Sequence, residues 1–224
     1  PIWHIDGNSV TYSIRADSMQ TMVSHPLDTV DLPQPLFDGQ GAVSPWQWSL
    51  DGSTLLYGEG PPKQMALMVW NRETGEKTQI VDASSGSLWA AQFSPDERHI
   101  AYTQVGDAGS EVYVVPYPAT GQRWLVSGGQ GEEPVWRLDT NELVFRRGKG
   151  WYSVVYDNEA GFKFAAPELI FEGPYVNIGG MEYRVLADGS LVLMETAGVG
   201  DESARLGVVL NWDVEVERIL GGSE

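Results

Sequence analysis

The sequence contains no cysteine among its 224 residues. Disulfide bonds and metal sites built from thiolates are therefore excluded, and the redox compartment is left open. No apolar run approaches the roughly 18 residues of a membrane-spanning helix, so we expect no membrane span in this chain. The chain begins at Pro1 without a methionine or a visible signal peptide, and we expect it to be an excised or processed segment.

Basic residues are scarce. The chain has 14 Lys and Arg against 31 Asp and Glu, which gives a formal charge of −17 at pH 7. Such a field repels a phosphate backbone, so no nucleic-acid partner is expected. Solubility explains the acidity more simply than a dedicated cationic partner does. The one basic cluster, Arg146, Arg147 and Lys149, is predicted to be the solvated tip of a hairpin.

Catalytic motifs are also missing. The sequence has no Gly-x-Ser-x-Gly elbow, no His-Glu-x-x-His pair and none of the protein-kinase motifs. We therefore expect a protein that is not an enzyme, with no metal and no cofactor. One alternative is calcium bound by oxygen atoms of four residues near the starts of predicted inner strands, although scattered carboxylates more often form a solvated rim. These residues are Glu132, Glu133, Asn177 and Glu182.

Aromatic residues, glycine and proline are abundant, which favours many short strands joined by turns. A strand–turn–strand pattern recurs around aspartates 6, 51, 96, 139 and 188, at intervals of 45, 45, 43 and 49 residues. A period in the forties with four strands per unit is typical of a propeller blade. The sequence therefore predicts an all-β protein, a β-propeller of four-stranded antiparallel blades with five blades in this chain. The approximate blades are 1–43, 44–86, 87–131, 132–176 and 177–224, in a single domain over 1–224.

Two local features of the repeat lead to further predictions. The Asp51-Gly52 pair favours a two-residue type I′ turn, in which both residues have positive φ. An aromatic residue precedes each turn at the same phase, and such large side chains usually pack between blades rather than bind a ligand. These aromatic residues are Trp3, Trp48, Phe93, Trp136 and Tyr183.

The segments Trp48-Ser49-Leu50-Asp51-Gly52 and Ser94-Pro95-Asp96 resemble the Trp-Ser-Pro-Asp-Gly repeats of TolB-like propellers. From about residue 90 to 220 the chain resembles the subgroup often found downstream of bacterial serine/threonine kinase domains. It does so through stretches such as 112–118, 133–136, 167–173 and 208–212. The resemblance implies a bacterial six-bladed propeller used for protein interaction or sensing, with a periplasmic or extracytoplasmic location slightly favoured. Likeness to WD40 propellers is at the level of fold only, because the Gly-His partner of the Trp-Asp pair is absent.

The sequence departs from that family pattern in two ways. The Asp-Gly pair is altered at Asp96-Glu97 and at Asp139-Thr140-Asn141, which is expected to change the turn geometry. In addition, five repeats stand where the family usually has six. A blade is missing, or five blades close alone, or the open ends pair between molecules and cause self-association.

The candidate binding residues follow from propeller geometry. Loops that lead into the innermost strands gather at one mouth of the central channel, beside the loops that follow the second strands, and loops on a rigid scaffold often carry binding. Two extra tryptophans lie there at positions that we take to be equivalent. The predicted site contains Trp46, Trp89, Glu132, Glu133, Asn177 and Glu182. The alternative is that the two tryptophans plug the channel or pack between blades.

We therefore predict a non-enzymatic interaction or ligand-sensing module that binds a protein or peptide partner through this face. The first alternative is a propeller hydrolase or lyase with a divalent metal in the channel. The second is a structural or self-assembling propeller fragment.

Overall fold

The chain is all-β wherever the computed structural model describes it, at residues 1–16, 19–27, 32–138, 140–159, 161–175, 180–181, 183–186 and 188–193. As predicted, these ranges contain strands and turns but no helix. A helix long and apolar enough to cross a bilayer is accordingly not found among them. The chain divides into two compact units, Pro1–Pro134 and Val135–Glu224.

The first unit contains three four-stranded antiparallel sheets. Each sheet runs through its strands in chain order, as a meander does. This arrangement confirms the predicted four-stranded antiparallel architecture, and we refer to the sheets as blades 1, 2 and 3. Blade 1 consists of β1 (Ile2–Trp3), β2 (Ser9–Ala16), β3 (Met19–Pro26) and β4 (Gln34–Asp38). Blade 2 consists of β5 (Ala42–Trp48), β6 (Thr54–Gly60), β7 (Ala66–Asn71) and β8 (Lys77–Val81). Blade 3 consists of β9 (Ser87–Phe93), β10 (His99–Gly106), β11 (Gly109–Pro116) and β12 (Trp124–Gln130).

The following sheet begins with β13 (Glu132–Trp136), which starts in the first unit and ends in the second. It continues with β14 (Glu142–Arg147) and β15 (Gly150–Asp157). Beyond β15 the outer position is shared by two short strands, β16 (Lys163–Phe164) and β17 (Glu168–Glu172), and both pair with β15. A hairpin of β18 (Tyr183–Val185) and β19 (Leu191–Leu193) comes next. The outer strands predicted within 206–220 lie outside the described residues.

Apolar cores fill the spaces between adjacent blades of the first unit. One cluster joins blades 1 and 2 and contains Met22, Trp48, Leu55, Tyr57 and Trp70. Another joins blades 2 and 3 and contains Leu56, Leu67, Leu88, Phe93, Ile100 and Tyr102, among others. Both faces of blade 2 are therefore buried, which is why its strands have apolar residues on both sides of the pleat.

The pre-turn aromatics are buried with one exception. Trp48, Phe93, Trp136 and Tyr183 are buried as predicted, whereas Trp3 is 63% exposed. The indole N–H of Trp48 donates to Thr11 Oγ1 at 2.9 Å, so Trp48 packs on the blade that precedes it in the chain. Trp3 lies on β1, the first strand of blade 1, and most of its side chain is exposed. The prediction of a core role for Trp3 is therefore wrong in this structure.

The Asp-Gly turns are not type I′ turns. Gly52 has φ of 69°, but Asp51 does not have positive φ. The amide N–H groups of Gly52 and Ser49 donate to the carbonyls of Ser49 and Thr54, at 2.9 and 2.8 Å. This pattern closes a four-residue loop around a type I turn, with glycine at its left-handed position. The type I′ prediction failed because Asp-Gly satisfies both turn types and only the loop length separates them.

Glu97 takes the place of that glycine in blade 3. Its φ of 55° is close to the 69° of Gly52, and its N–H donates to the Ser94 carbonyl at 2.8 Å, as Gly52 does to Ser49. The expected change of turn geometry is therefore wrong for the Asp96-Glu97 turn. Asp139, in the other altered turn, lies outside the described residues.

The basic cluster also differs from its prediction. Arg146 is almost fully buried, while Lys149 in the two-residue turn between β14 and β15 is exposed. Alternate residues of a strand face opposite sides of the sheet, so neighbouring arginines have different surroundings. Arg147 lies over the ring of Tyr152, with 4.5 Å between its guanidinium carbon and the ring centroid.

Candidate functional site

The first unit contains a cavity of about 850 Å³ between blades 2 and 3. We call it the tryptophan cavity because Trp46 and Trp89 both line it. Its volume is within the range of small-molecule and cofactor pockets, about 300–1,000 Å³. The remaining lining residues are Ser44, Pro62, Lys63, Met65, Ser84, Ser85, Gly86, Ser87, Leu88, Val105, Gly106 and Asp107.

The cavity wall combines the two kinds of segment that propeller geometry singles out. Ser44 and Trp46 lie on β5, the first strand of blade 2, and residues 84–89 lead into and begin β9, the first strand of blade 3. Pro62, Lys63 and Met65 follow the second strand β6, and residues 105–107 form the end of the second strand β10 and the start of the turn after it. Trp46 and Trp89 are thus brought together by strands and loops of two adjacent blades.

Trp46 combines a core role with a cavity role. The register of β5 on β6 shifts between Pro45, opposite Tyr57, and Gln47, opposite Leu56, so Trp46 is the extra residue of a β-bulge. Its half-buried ring packs against the cluster between blades 2 and 3, while another part of the ring lines the cavity. The alternative that it packs between blades is therefore correct for part of the side chain.

Trp89 is not equivalent to Trp46, contrary to the sequence-based assignment. Trp89 pairs with Thr103, and the residue 45 positions earlier, Ser44, pairs with Gly58. Ser44 and Trp89 are therefore the equivalent pair. Trp89 is half-buried and is followed by Ala90, whose φ of 53° marks a bulge in β9. The two tryptophans reach one cavity from different positions of their repeats because bulges redirect side chains.

The cavity wall is held together by hydrogen bonds between blades. The Leu88 N–H donates to the Met65 carbonyl at 2.9 Å, and the Met65 N–H donates to Ser87 Oγ at 3.2 Å. Gly86 has φ of 136°, and a Cβ there would collide with the Val105 carbonyl. Glycine is thus required at residue 86, where the segment before β9 approaches the end of β10. Such fixed walls favour a cavity that exists before a ligand arrives.

Of the four remaining predicted site residues, Glu132 and Glu133 are described and do not line this cavity. Glu132 is half-buried on β13, and Glu133 is fully buried with φ of 57° and donates its N–H to Thr103 Oγ1 at 2.9 Å. A fully buried carboxylate is not part of an exposed rim, so that placement of Glu133 is corrected. Asn177 and Glu182 lie outside the described residues.

Sequence reasoning missed the charged and hydroxyl-bearing wall of the cavity. Lys63 and Asp107 are exposed charged residues at its edge, and Ser84 and Ser85 are exposed hydroxyl donors. They lie in loops after second strands and before first strands, which the fold singles out but no motif marks. Gly86 and Gly106 were the available signal, because glycines at paired loop ends indicate a close approach of backbones.

The described residues contain no group of three or more His, Asp or Glu side chains placed to hold one metal ion. Among these residues, the pair that most resembles part of a catalytic site is His4 and Asp6, with 2.9 Å between His4 Nδ1 and Asp6 Oδ2. The other ring nitrogen, Nε2, contacts Arg72 Nη1 at 3.3 Å rather than a serine or threonine hydroxyl. A histidine general base needs its second nitrogen for the nucleophile, so this arrangement does not match a catalytic triad.

No protein-family model and no curated protein matches this sequence. Solved structures do match its fold. TolB from Acinetobacter baumannii is 13% identical at a TM-score of 0.65, over 88% of this chain and 48% of that one. An oligogalacturonate lyase in complex with manganese is 16% identical at 0.59, over 88% and 58%. The β-propeller domain of the Trilobed protease from Pyrococcus furiosus, described as an open velcro topology, is 15% identical at 0.54, over 91% and 66%.

These similarities establish the β-propeller fold, which this chain shares with TolB. The chain spans about half to two thirds of the length of the structures it matches. Those structures include TolB as well as proteins named as a lyase and a protease, and one fold supports many unrelated functions. The function has to be argued from the site.

Proposed function

We propose that this chain is a non-enzymatic binding module that accepts a segment of a partner protein in the tryptophan cavity. The observation that carries the proposal is the meeting of Trp46 and Trp89 in one preformed cavity between blades 2 and 3. Tryptophan is enriched among the residues that dominate the energy of protein interfaces, because it buries a large area and keeps a polar N–H.

The composition of the wall favours a peptide segment over a metal-dependent substrate. Met65, Pro62 and the two indoles offer apolar contact, and exposed serines and the backbone of residues 84–86 offer hydrogen bonds. Lys63 and Asp107 bring opposite charges to the edge, so the cavity itself has no strong sign despite a chain charge of −17. A peptide segment with an uncharged apolar or aromatic side chain offers contacts to the indoles, and its backbone amides offer hydrogen-bond partners to the serines.

The parent protein is a separate part of the proposal. The sequence resemblance favours a bacterial protein of the subgroup downstream of serine/threonine kinase domains, with the propeller placed outside the cytoplasm. Detection of the intact protein in the periplasmic fraction of its host supports that location, and its recovery in the cytoplasmic fraction contradicts it.

Each of the two alternative functions has its own test. A metal-dependent hydrolase or lyase predicts a stoichiometric divalent ion after purification, which elemental analysis measures. A self-assembling fragment predicts a mass above that of the 24.6 kDa monomer, which light scattering measures across a concentration series. Neither alternative requires the two tryptophans to be accessible.

The proposal is tested by panning a random peptide library displayed on phage against the wild-type protein. Selected peptides are then titrated against Trp89→Ala and Trp46→Phe. We expect Trp89→Ala to weaken binding at least tenfold, because a central aromatic contact is lost. Trp46→Phe keeps an aromatic ring against the core, so it tests the cavity edge with a smaller loss of packing than alanine would cause.

The matched control is Trp3→Ala, because Trp3 is another tryptophan of the first unit that solvent reaches, and it does not line the cavity. Its affinity for the selected peptides is expected to equal that of the wild type. Equal affinity of all three variants contradicts the proposal, as does a library that yields no saturable binder.

A further inference from the structure

A second and smaller cavity lies on the other side of the segment that leads into β9. Its volume is about 270 Å³, and it lies between the last strand of blade 2 and the outer half of blade 3. Ser84 and Ser85 line both cavities. The polar groups that define this small cavity are Gln79, Asp82, Ser84, Ser85, Gln122 and Arg123.

Arg123 is held in place by buried groups. Its guanidinium carbon lies 4.6 Å from the centroid of the Tyr113 ring, and its Nη1 donates to Gln104 Oε1 at 3.0 Å. Gln104 is only 8% exposed, and its Nε2 donates to the Ser85 carbonyl at 3.1 Å. The buried side-chain amide of Gln104 thus holds both Arg123 and Ser85 on the opposite wall of the cavity. The guanidinium has five N–H donors, so donors remain for a ligand.

Asp82 supplies the opposite charge from another element, just after β8. The Ser84 N–H donates to Asp82 Oδ1 at 2.8 Å. Hydrogen bonds from the Ser84 hydroxyl and N–H, with a smaller contribution from the charge of Arg123, hold the pKa of Asp82 below its usual value. Asp82 and Arg123 form no direct ion pair with each other in the described part of the chain. A fixed cation and a fixed anion therefore line one small polar space.

We infer that the small cavity binds a small zwitterion, namely a free α-amino acid with a small side chain. Its carboxylate lies on Arg123, which matches carboxylate geometry with two parallel N–H donors. Its ammonium group lies on Asp82, and the side-chain amides of Gln79 and Gln122 offer further hydrogen bonds. At about 30 Å³ per water, the space suits a ligand of up to roughly nine non-hydrogen atoms.

The charge of the ligand follows from its surroundings. A simple anion meets Asp82 in the cavity and a chain charge of −17 around it. A simple cation meets the immobilised Arg123. A molecule that carries both charges and no net charge satisfies both groups without this repulsion. The inference does not depend on a peptide entering the tryptophan cavity.

The test is isothermal titration calorimetry of the whole chain with serine, alanine and proline. Acetate, methylammonium and inorganic phosphate are titrated as probes that carry charge of one sign only. We expect at least one amino acid to bind saturably, and each of these probes to bind at least tenfold more weakly. Arg123→Gln and Asp82→Asn are each expected to weaken amino-acid binding at least tenfold. Arg123→Lys keeps the charge over Tyr113 but loses the planar fork, so an intermediate affinity supports the inference.

Arg98→Gln is the matched control, because Arg98 is an exposed arginine of blade 3 that pairs with Asp96 and does not line the cavity. Amino-acid affinity is expected to be unchanged in this variant and in Trp89→Ala. Acetate or phosphate binding as tightly as the amino acids overturns the inference, since Asp82 then contributes nothing. Wild-type affinity in Arg123→Gln, or no saturable binding of any amino acid, overturns it as well.

Discussion

The indole ring of Trp46 lies directly over Gly58 on the neighbouring strand β6. A Cβ atom at residue 58 would come within 2.5 Å of Trp46 Cζ2 and 2.9 Å of Met65 Cε. Gly58 does not have positive φ, so the position requires glycine for space and not for backbone conformation. This contact fixes where the Trp46 ring enters the wall of the tryptophan cavity.

The substitution Gly58→Ala is therefore expected to displace Trp46 and Met65 and to lower the free energy of unfolding by about 1–3 kcal/mol, as overpacking does. Urea denaturation measures this change. Gly180→Ala is the matched control, since no atom of the described residues lies within 4 Å of a Cβ there and its φ is not in the left-handed region. A free energy of unfolding unchanged by Gly58→Ala contradicts the packing described here.

The side chain of Glu97 offers a reason why a residue other than glycine occupies this left-handed turn position. Its Oε1 accepts a hydrogen bond from the Leu50 N–H at 2.6 Å and so joins the turns of blades 2 and 3. Glu97→Ala keeps the unfavourable φ and loses this bond, so we expect a loss of about 1 kcal/mol in the free energy of unfolding. Glu97→Gln keeps an acceptor and is expected to lose less than half as much. Equal stabilities of the two variants in urea denaturation count against this role.

The buried pair of Thr11 and Trp48 provides a test of packing between blades 1 and 2. Both residues are buried, and the Trp48 N–H donates to Thr11 Oγ1. Thr11→Val removes the acceptor and leaves a buried donor unsatisfied, which costs about 1–3 kcal/mol. Thr11→Ser keeps the hydroxyl and is expected to cost less. Chemical denaturation of both variants gives the comparison, and a Val variant as stable as the Ser variant contradicts the account.

The turn carboxylates lead to a prediction about pH. The Ser49 hydroxyl and the backbone and side chain of Ser53 donate to Asp51 and lower its pKa from 3.8 to about 2. A lowered folded-state pKa means that these bonds stabilise the fold above pH 4 and lose this effect as the pH falls from about 4 to 2. In Ser49→Ala we expect the pKa of Asp51 to rise towards 3.8 when measured by carbon-detected NMR titration of its carboxyl group. A pKa that stays near 2 in this variant contradicts the assignment.

The repeat was sufficient to predict the fold but not the details that depend on neighbouring blades. The spacing of Asp6, Asp51 and Asp96 places the sheets because each blade repeats one strand–turn–strand unit. Trp48 is buried against blade 1, whereas Trp3 at the same phase of its repeat is exposed, and no local pattern encodes this difference. Glu97 could not be recognised as a substitute for glycine, since its side chain bonds to Leu50 in the turn of another blade.

The candidate site was predictable only in part for a similar reason. Propeller geometry predicted that the segments around Trp46 and Trp89 lie near each other, and both residues line one cavity. Their equivalence was wrong, because β-bulges shift the phase of a strand without changing its composition. Lys63 and Asp107 reach the cavity edge from loops after second strands, and a single charged residue in a loop has no sequence pattern that distinguishes it.

The most direct test of the central claim is an NMR titration that follows the indole N–H signals of the tryptophans as a library-selected peptide is added. Each signal is assigned by its loss in the corresponding Trp→Phe variant. We predict that the signals of Trp46 and Trp89 shift and saturate together with one dissociation constant, while the signal of Trp3 stays in place. Saturable binding that moves Trp3 and leaves Trp46 and Trp89 unchanged contradicts the claim that the tryptophan cavity receives the partner.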